Sequence, residues 1–217
     1  MKAMKKIFWD NPYQTTLLTR VQWLNGNKAL FEETIAFSFS GGQESDKVLI
    51  NGMSVMDSEM IDNVIYYTLP EEHGLSVGDE VQMEIDWPRR YRLMRLHFAA
   101  ELILELITRK LNLKKIGAHI SEFKARIDFF YDENISSHFE NLLAEYNEII
   151  AADKPIKTDF SDFDRQRRFW EIEGFSKVPC GGTHVKSTAE VGLVSLKRVN
   201  IGSGKERIEI RLIKDII

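Results

Sequence analysis

The chain has 217 residues, 43% of them hydrophobic and 29% charged, and carries a formal net charge of −4. These values fit a globular fold of one large or two small domains and argue against a non-specific nucleic-acid binder. The longest apolar runs are broken by Arg, Glu or Lys well before the about 18 residues of a membrane span, so no membrane association is expected.

The opening stretch MKAMKKIFWDNPYQ has no apolar core of leader length, and the single cysteine, Cys180, allows no internal disulfide. Both features lead us to expect a cytoplasmic protein. From there to residue 87 the pattern reads as β. QTTLLTRVQWL and KALFEETIAF are strand-like and flank the turn signal Asn25-Gly26-Asn27. KVLINGMSVMD reads as a hairpin around Asn51-Gly52, a pair suited to a two-residue primed turn. NVIYYTLP and DEVQMEID supply further strands. Short strands with tight turns predict a small antiparallel β-barrel-like or sandwich domain over 1–87.

The composition changes at Trp87-Pro88. Proline belongs in a helix's first turn and Asp86 favours that end, which predicts a helix from 88 to about 111. In NLKKIGAHISEFKARIDFFY the second half alternates like a strand. ISSHFENLLAEYNEIIAAD is a second helix, stopped by Pro155. IKTDF, RRFWEIE, LVSLKRV and RIEIRLI read as strands around one glycine-rich loop. The expected class is α+β: a β-barrel-like domain, 1–87, followed by an α+β domain, 88–217, with a mixed or antiparallel sheet packed on helices.

Charge is unevenly placed along this framework. RRYRLMR holds four arginines in seven residues, DRQRRFW holds three, and SLKRVNIGSGKERIEIRL is basic as well. Acidic residues gather in LPEEHGLSVGDE and YDENISSHFENLLAEYNE. Each cluster read alone is a solvated face; read together, they leave room for local anion binding.

Two motifs carry chemistry. On the long helix, His97 and Glu101 are four residues apart and share a face. They are either a surface pair or two metal ligands. In VPCGGTHV, Cys180 and His184 are also four apart, and Gly181 and Gly182 between them let the backbone fold tightly enough for both side chains to converge. Thiolate and imidazole are ligands that zinc prefers, so His97, Glu101, Cys180 and His184 form a candidate mononuclear site. His73, His119 and His138 have no ligand-type partner at a useful spacing and are read as structural.

DWPRRYRLMRLHFAAEL, KARIDF and CGGTH with its tail GKERIEI resemble the editing domain of alanyl-tRNA synthetase and its free-standing AlaX-type, medium-length relatives. FEETIAFSFSGGQESDKVLINGMSV resembles that family's glycine-rich segment, T-x-F-Y-P-x-G-G-G-Q-x-x-D. The chain departs from the family twice: Glu101 stands where the helix motif H-x-x-x-H has its second histidine, and Ala36-Phe37-Ser38-Phe39-Ser40 replaces F-Y-P-x-G.

The resemblance implies a zinc-binding editing domain of the second additional type over 88–217, with the GGQ segment in the domain before it. It implies a trans-editing deacylase that hydrolyses the ester of serine, or glycine, on tRNA(Ala), with one zinc ion per chain. The implied partner is the acceptor end of mischarged tRNA(Ala); no obligatory protein partner is evident. Such editing compensates for a synthetase pocket that cannot strongly reject a near-isostere. By the same resemblance Thr34 would recognise the serine hydroxyl, Gln43 would contact the substrate backbone or terminal adenosine, and Arg89, Arg90, Arg92 and Arg95 would contact tRNA phosphate. His97, Cys180 and His184 are the strong ligand set, and Glu101 is either a fourth ligand or a general base. Zinc would activate water and polarise the carbonyl, or instead anchor the substrate. Two rival readings stand beside this one: a degenerate, non-catalytic zinc- or tRNA-binding module, and a related aminoacyl-tRNA ester hydrolase with another substrate, threonine tRNA included.

Overall fold

The computed structural model describes residues 3–202 and 204–214. The protein is α+β with mostly antiparallel sheets, and it divides into two compact units. The first runs up to Ser40 and resumes over Glu44–Arg90; the second comprises Gly41–Gln43 and the chain from Tyr91 onward.

In the first unit, β1 (Lys5–Lys6) leads into a single helical turn, α1 (Ile7–Asp10). The strands that follow are β2 (Thr16–Asn25), β3 (Lys28–Phe31), β4 (Glu33–Thr34), β5 (Val48–Ile50), β6 (Met53–Ser54), β7 (Asp57–Ile61), β8 (Val64–Thr68) and β9 (Glu80–Ile85). β1 and β4 pair in parallel, and the other seven form one antiparallel sheet in the order β6-β5-β9-β2-β3-β8-β7. The ends of that order are consecutive in sequence. Val55 donates to Val48 O at 2.9 Å and its neighbour Met56 donates to Thr68 O at 2.8 Å, so one peptide reaches strands near opposite ends and the sheet must curl. Its concave side is filled by an apolar cluster that includes Phe8, Val21, Phe31, Ile50, Ile65, Tyr67 and Met83.

The Asn51-Gly52 turn has φ of 49° and 79°, the positive pair a primed hairpin requires. A second hairpin of the same kind, β7–β8, turns on Asp62 and Asn63 at φ 49° and 65°. It was not predicted, because DSEMI lacks the β-branched alternation that marks NVIYYTLP.

The helix α2 (Trp87–Leu111) begins where Asp86 accepts from Arg89 N at 3.0 Å, as an N-cap does. It ends with Arg109 and Lys110 in the last turn and Asn112 at φ 54°, a basic, left-handed finish that suits the carbonyl end. Every residue from Leu93 to Ala100 is buried, so this part of the helix lies inside the second unit rather than on it.

The second unit continues with β10 (Lys115–Ile120), β11 (Ala125–Phe130), a 3-10 turn (Ile135–His138), α3 (Phe139–Ala151), β12 (Lys157–Asp162), β13 (Arg167–Ile172), β14 (Ser176–Pro179), a short α4 (Thr188–Val191), β15 (Val194–Asn200) and β16 (Lys205–Leu212). Among the described residues they build a four-stranded antiparallel sheet, β10-β11-β16-β15, and a three-stranded one, β12-β13-β14. Both halves of NLKKIGAHISEFKARIDFFY are strands; β10 at the sheet's edge was missed because KIGAHI has a glycine and no clear alternation. Gln43 makes an isolated parallel bridge to Ile120, beside an Ile120 N to Gly42 O bond of 2.7 Å. Gly42 sits at φ 90°, and a Cβ there would lie 2.7 Å from Ala118 O, so glycine is required at this approach.

Candidate metal centre

His97 enters from the fully buried stretch of α2, and Cys180 and His184 come from the loop after β14. His97 Nε2 lies 3.1 Å from Cys180 Sγ, and His184 Nε2 lies 3.3 Å from the same sulfur. The three candidate donor atoms are all within 4.8 Å of one another. The two imidazoles meet edge to face at 5.2 Å between centroids, and Phe98 closes on His184 at 5.5 Å.

The loop is held on two sides. Cys180 N donates to Arg168 O at 2.9 Å, continuing the β13–β14 ladder. On the other side the fully buried Gln43 amide donates to Thr183 Oγ1 at 2.9 Å and its oxygen receives Thr183 N at 3.4 Å. Gly182 lies against the His97 ring: a Cβ would come within 2.8 Å of Nδ1 and 2.9 Å of Gln43 Oε1. This explains the second glycine of CGGTH by space, since no positive φ is involved.

Electrostatics match the packing. Burial, then the Glu101 carboxylate, push the Cys180 thiol up; the Gly182 amide, Lys115 and Arg168 oppose. Burial holds His97 below its ordinary value against the pull of Glu101. His184 is lowered much further, by burial and by the neighbouring His97 and Arg168 charges. The result is two neutral imidazoles around one thiol, which sheds its proton when a cation arrives. Two nitrogens and one sulfur at these spacings could hold a metal ion and leave a coordination position open.

Glu101 is near this cluster but outside its mutually close set. Its Oε1 stands 3.9 Å from His97 Nε2, and its Oε2 accepts from Trp170 Nε1 at 2.8 Å. With a side chain 15% exposed, it is not the solvated helix-surface carboxylate of the plainer sequence reading.

Other expected site residues take different places. Thr34 is fully buried in the first unit; its hydroxyl bonds Tyr67 Oη at 2.5 Å and receives Ala36 N at 3.0 Å. The Thr34 hydroxyl is thus engaged by neighbours within the first unit. Gln43 is a buried amide with both ends engaged by Thr183, and so braces the loop that carries Cys180 and His184.

Of the arginines expected at RNA phosphate, Arg90 and Arg95 are buried. Arg90 bonds the Asp46 carboxylate, Pro12 O at 2.9 Å and Ile35 O at 2.7 Å, all in the first unit. Arg95 donates to Val191 O and Lys214 O, each at 3.1 Å, in the second. Arg89 pairs with Glu44 at 2.8 Å on the wall of a cavity of about 750 Å³ in the first unit, and Arg92 pairs with Glu122 at 2.8 Å.

Sequence reasoning missed two residues that shape the site, Trp170 and Thr183. Trp170 sat unnoticed in RRFWEIE, where tryptophan reads as strand core; only its indole N–H, which needs a partner when buried, hinted at more.

With this geometry in hand, the comparisons with known proteins are specific. The model of the threonyl and alanyl tRNA synthetase second additional domain matches residues 168–209, the stretch that carries Cys180 and His184. The chain is 33% identical to an alanyl-tRNA editing protein, AlaX-M, of Pyrococcus horikoshii over 96% of its own length and 97% of that protein. It is 28% identical to an alanine–tRNA ligase of Methanococcus maripaludis and 27% identical to one of Saccharolobus islandicus, where it spans about a quarter of each ligase. Near full-length coverage of the first and quarter coverage of the others mean that the chain belongs to the AlaX-type family of alanyl-tRNA editing proteins.

Proposed function

We propose that this protein is a trans-editing hydrolase that cleaves the ester of serine, and of glycine, on tRNA(Ala), with one zinc ion per chain held by His97, Cys180 and His184. The observation that carries the reading is the convergence of these donors on one sulfur, although His97 and Cys180 are 83 residues apart in the chain. A nitrogen-nitrogen-sulfur set with an open position suits zinc. The family relationship supplies the substrate class.

Zinc in this position supplies a Lewis acid that acidifies water and polarises a carbonyl. We assign Glu101 to the base role and not to the fourth-ligand role, because it lies outside the close donor set and has one oxygen tied to Trp170. Its Oε1 accepts a proton from the attacking water as the oxygen bonds to the ester carbon. The carbon–oxygen bond to the terminal ribose then breaks, and that proton passes to the ribose oxygen as it leaves. Gln43 and Gly182 hold the loop and the His97 ring in place for this.

The reading includes a barrel-like N-terminal module over 1–87, an editing domain over 88–217, and a cytoplasmic setting. For the RNA we favour Arg165 and Arg167, both exposed at the β12–β13 hairpin. The Thr34 hydroxyl is engaged by Tyr67, so serine selection at Thr34 requires that this bond be exchanged, and the related-ester-hydrolase reading keeps its place. One panel decides: rates of deacylation for seryl-, glycyl- and alanyl-tRNA(Ala) and for seryl-tRNA(Thr). Hydrolysis of seryl-tRNA(Ala) at least tenfold faster than of alanyl-tRNA(Ala) is expected. Equal rates on those two overturn the editing reading, and a preference for the threonine tRNA establishes the rival.

A further inference from the structure

The tie between Glu101 and Trp170 has more in it than packing. Trp170 has no exposed surface, and its ring meets Phe98 edge to face at 5.1 Å; Phe98 in turn meets His184. The strand that carries Trp170 is in register with the metal loop: Trp170 pairs with Val178, and Arg168 O receives Cys180 N. The indole N–H is therefore fixed in direction by the same elements that fix the sulfur. It is a donor only, so it holds a carboxylate and offers nothing to a cation. A donor bound to an ionised acceptor makes the stronger kind of hydrogen bond. It engages Oε2 and leaves Oε1 3.9 Å from His97 Nε2.

We propose that Trp170 is a positioning residue that holds Glu101 outside the metal's coordination sphere, so that the carboxylate meets water at the open position and does not fill it. This rests on the metal-hydrolase reading above. A carboxylate released from the indole would have an unpaired oxygen and a divalent cation close by, and coordination would satisfy both.

Trp170→Phe keeps an aromatic ring and removes the N–H. In this variant a chelator should extract zinc about tenfold more slowly, on the scale that outer partners tune metal sites. The visible absorption of the cobalt-substituted protein should differ from wild type, and kcat should fall with KM unchanged. In a Glu101→Gln background, which lacks the carboxylate, Trp170→Phe should change neither extraction nor spectrum. Unchanged extraction and spectrum in the single variant overturn the proposal, as does the same change in both backgrounds, since that is packing alone. Should Trp170→Phe fail to fold, as thermal unfolding would reveal, Glu101→Gln carries the test. It leaves the tryptophan packing in place and should release zinc at the wild-type rate; faster release makes Glu101 a ligand and overturns the proposal. Wild-type protein that binds neither zinc nor cobalt defeats the metal reading itself, a result distinct from any of these.

Discussion

In the first unit Arg90 is as deeply buried as His97 is in the second, yet the two burials have opposite characters. Arg90 is closed: the Asp46 carboxylate and the Pro12 and Ile35 carbonyls answer its guanidinium, and Asp46 also receives Phe37 N. Nearby, Thr34 and Tyr67 close on each other. His97 is open. Its Nδ1 is buried without a hydrogen-bond partner, and its Nε2 shares one sulfur with His184. Buried polar groups are ordinarily satisfied, so a closed node fastens a fold, and an open cluster of ligand-type atoms marks a place for something else.

The sharpest way to break this contrast is Cys180→Ser. It removes the softest donor, and the purified variant should lose nearly all of its zinc and its deacylase activity while the metal-free protein keeps its unfolding midpoint within a few degrees. Elemental analysis and thermal unfolding check both halves; zinc retained at the wild-type level would mean the cluster is not the metal's seat. Asp46→Ala attacks the closed node. It leaves Arg90 charged and buried without its counter-ion, which should cost about 3–5 kcal/mol in a denaturant titration. A loss below 1 kcal/mol would show that the node is not a fastening at all. Thr34→Val is milder. The Tyr67 hydroxyl keeps only Ala36 O, at 3.3 Å, and stability should drop by about 1–3 kcal/mol with zinc content unchanged. If it instead narrows the preference for seryl- over alanyl-tRNA(Ala) without loss of stability, Thr34 faces substrate and its placement as a core residue is wrong.

The smallest effect sharpens the open side through pH. In metal-free protein His97 and His184 are depressed by burial, so below about pH 6.5 the unfolded chain takes up protons that the folded one refuses, and stability falls as pH drops. Cys180 is raised, so above about pH 8.5 the unfolded thiol ionises first and stability falls again. Stability of the apoprotein should therefore peak between those values, and zinc should flatten the alkaline side by accepting the thiolate. An apoprotein curve flat across both limits would refute the burial of the three groups.

What the sequence disclosed follows from how local each cause is. The helix beginning at Trp87 was legible because its cap, Asp86, and its proline adjoin it. The Asn51-Gly52 turn was legible for the same reason. Charge density in RRYRLMR says nothing of partners; the Val191 carbonyl that holds Arg95 lies 96 residues away. Cys180 and His184 could be read from one loop, and His97 from its helix, but no spacing shows that Glu101 turns one oxygen toward an indole 69 residues on. Gln43 could be read as a motif residue, but its partner Thr183 could not, being 140 residues away.

That remoteness has a consequence in time. Gln43 and Thr183 are 140 residues apart, and a ribosome adding about 5–20 residues per second needs about 7–30 s to travel between them. During that interval the rest of the first unit, Glu44–Arg90, is made first, and Gly41–Gln43, which belongs to the second unit, is without its Thr183 partner until the interval ends. The metal loop gains its brace only when nearly the whole chain has emerged. A nascent chain stalled before residue 183 would thus carry His97, and even Cys180, without a formed site, which confines any premature capture of metal to the last moments of synthesis.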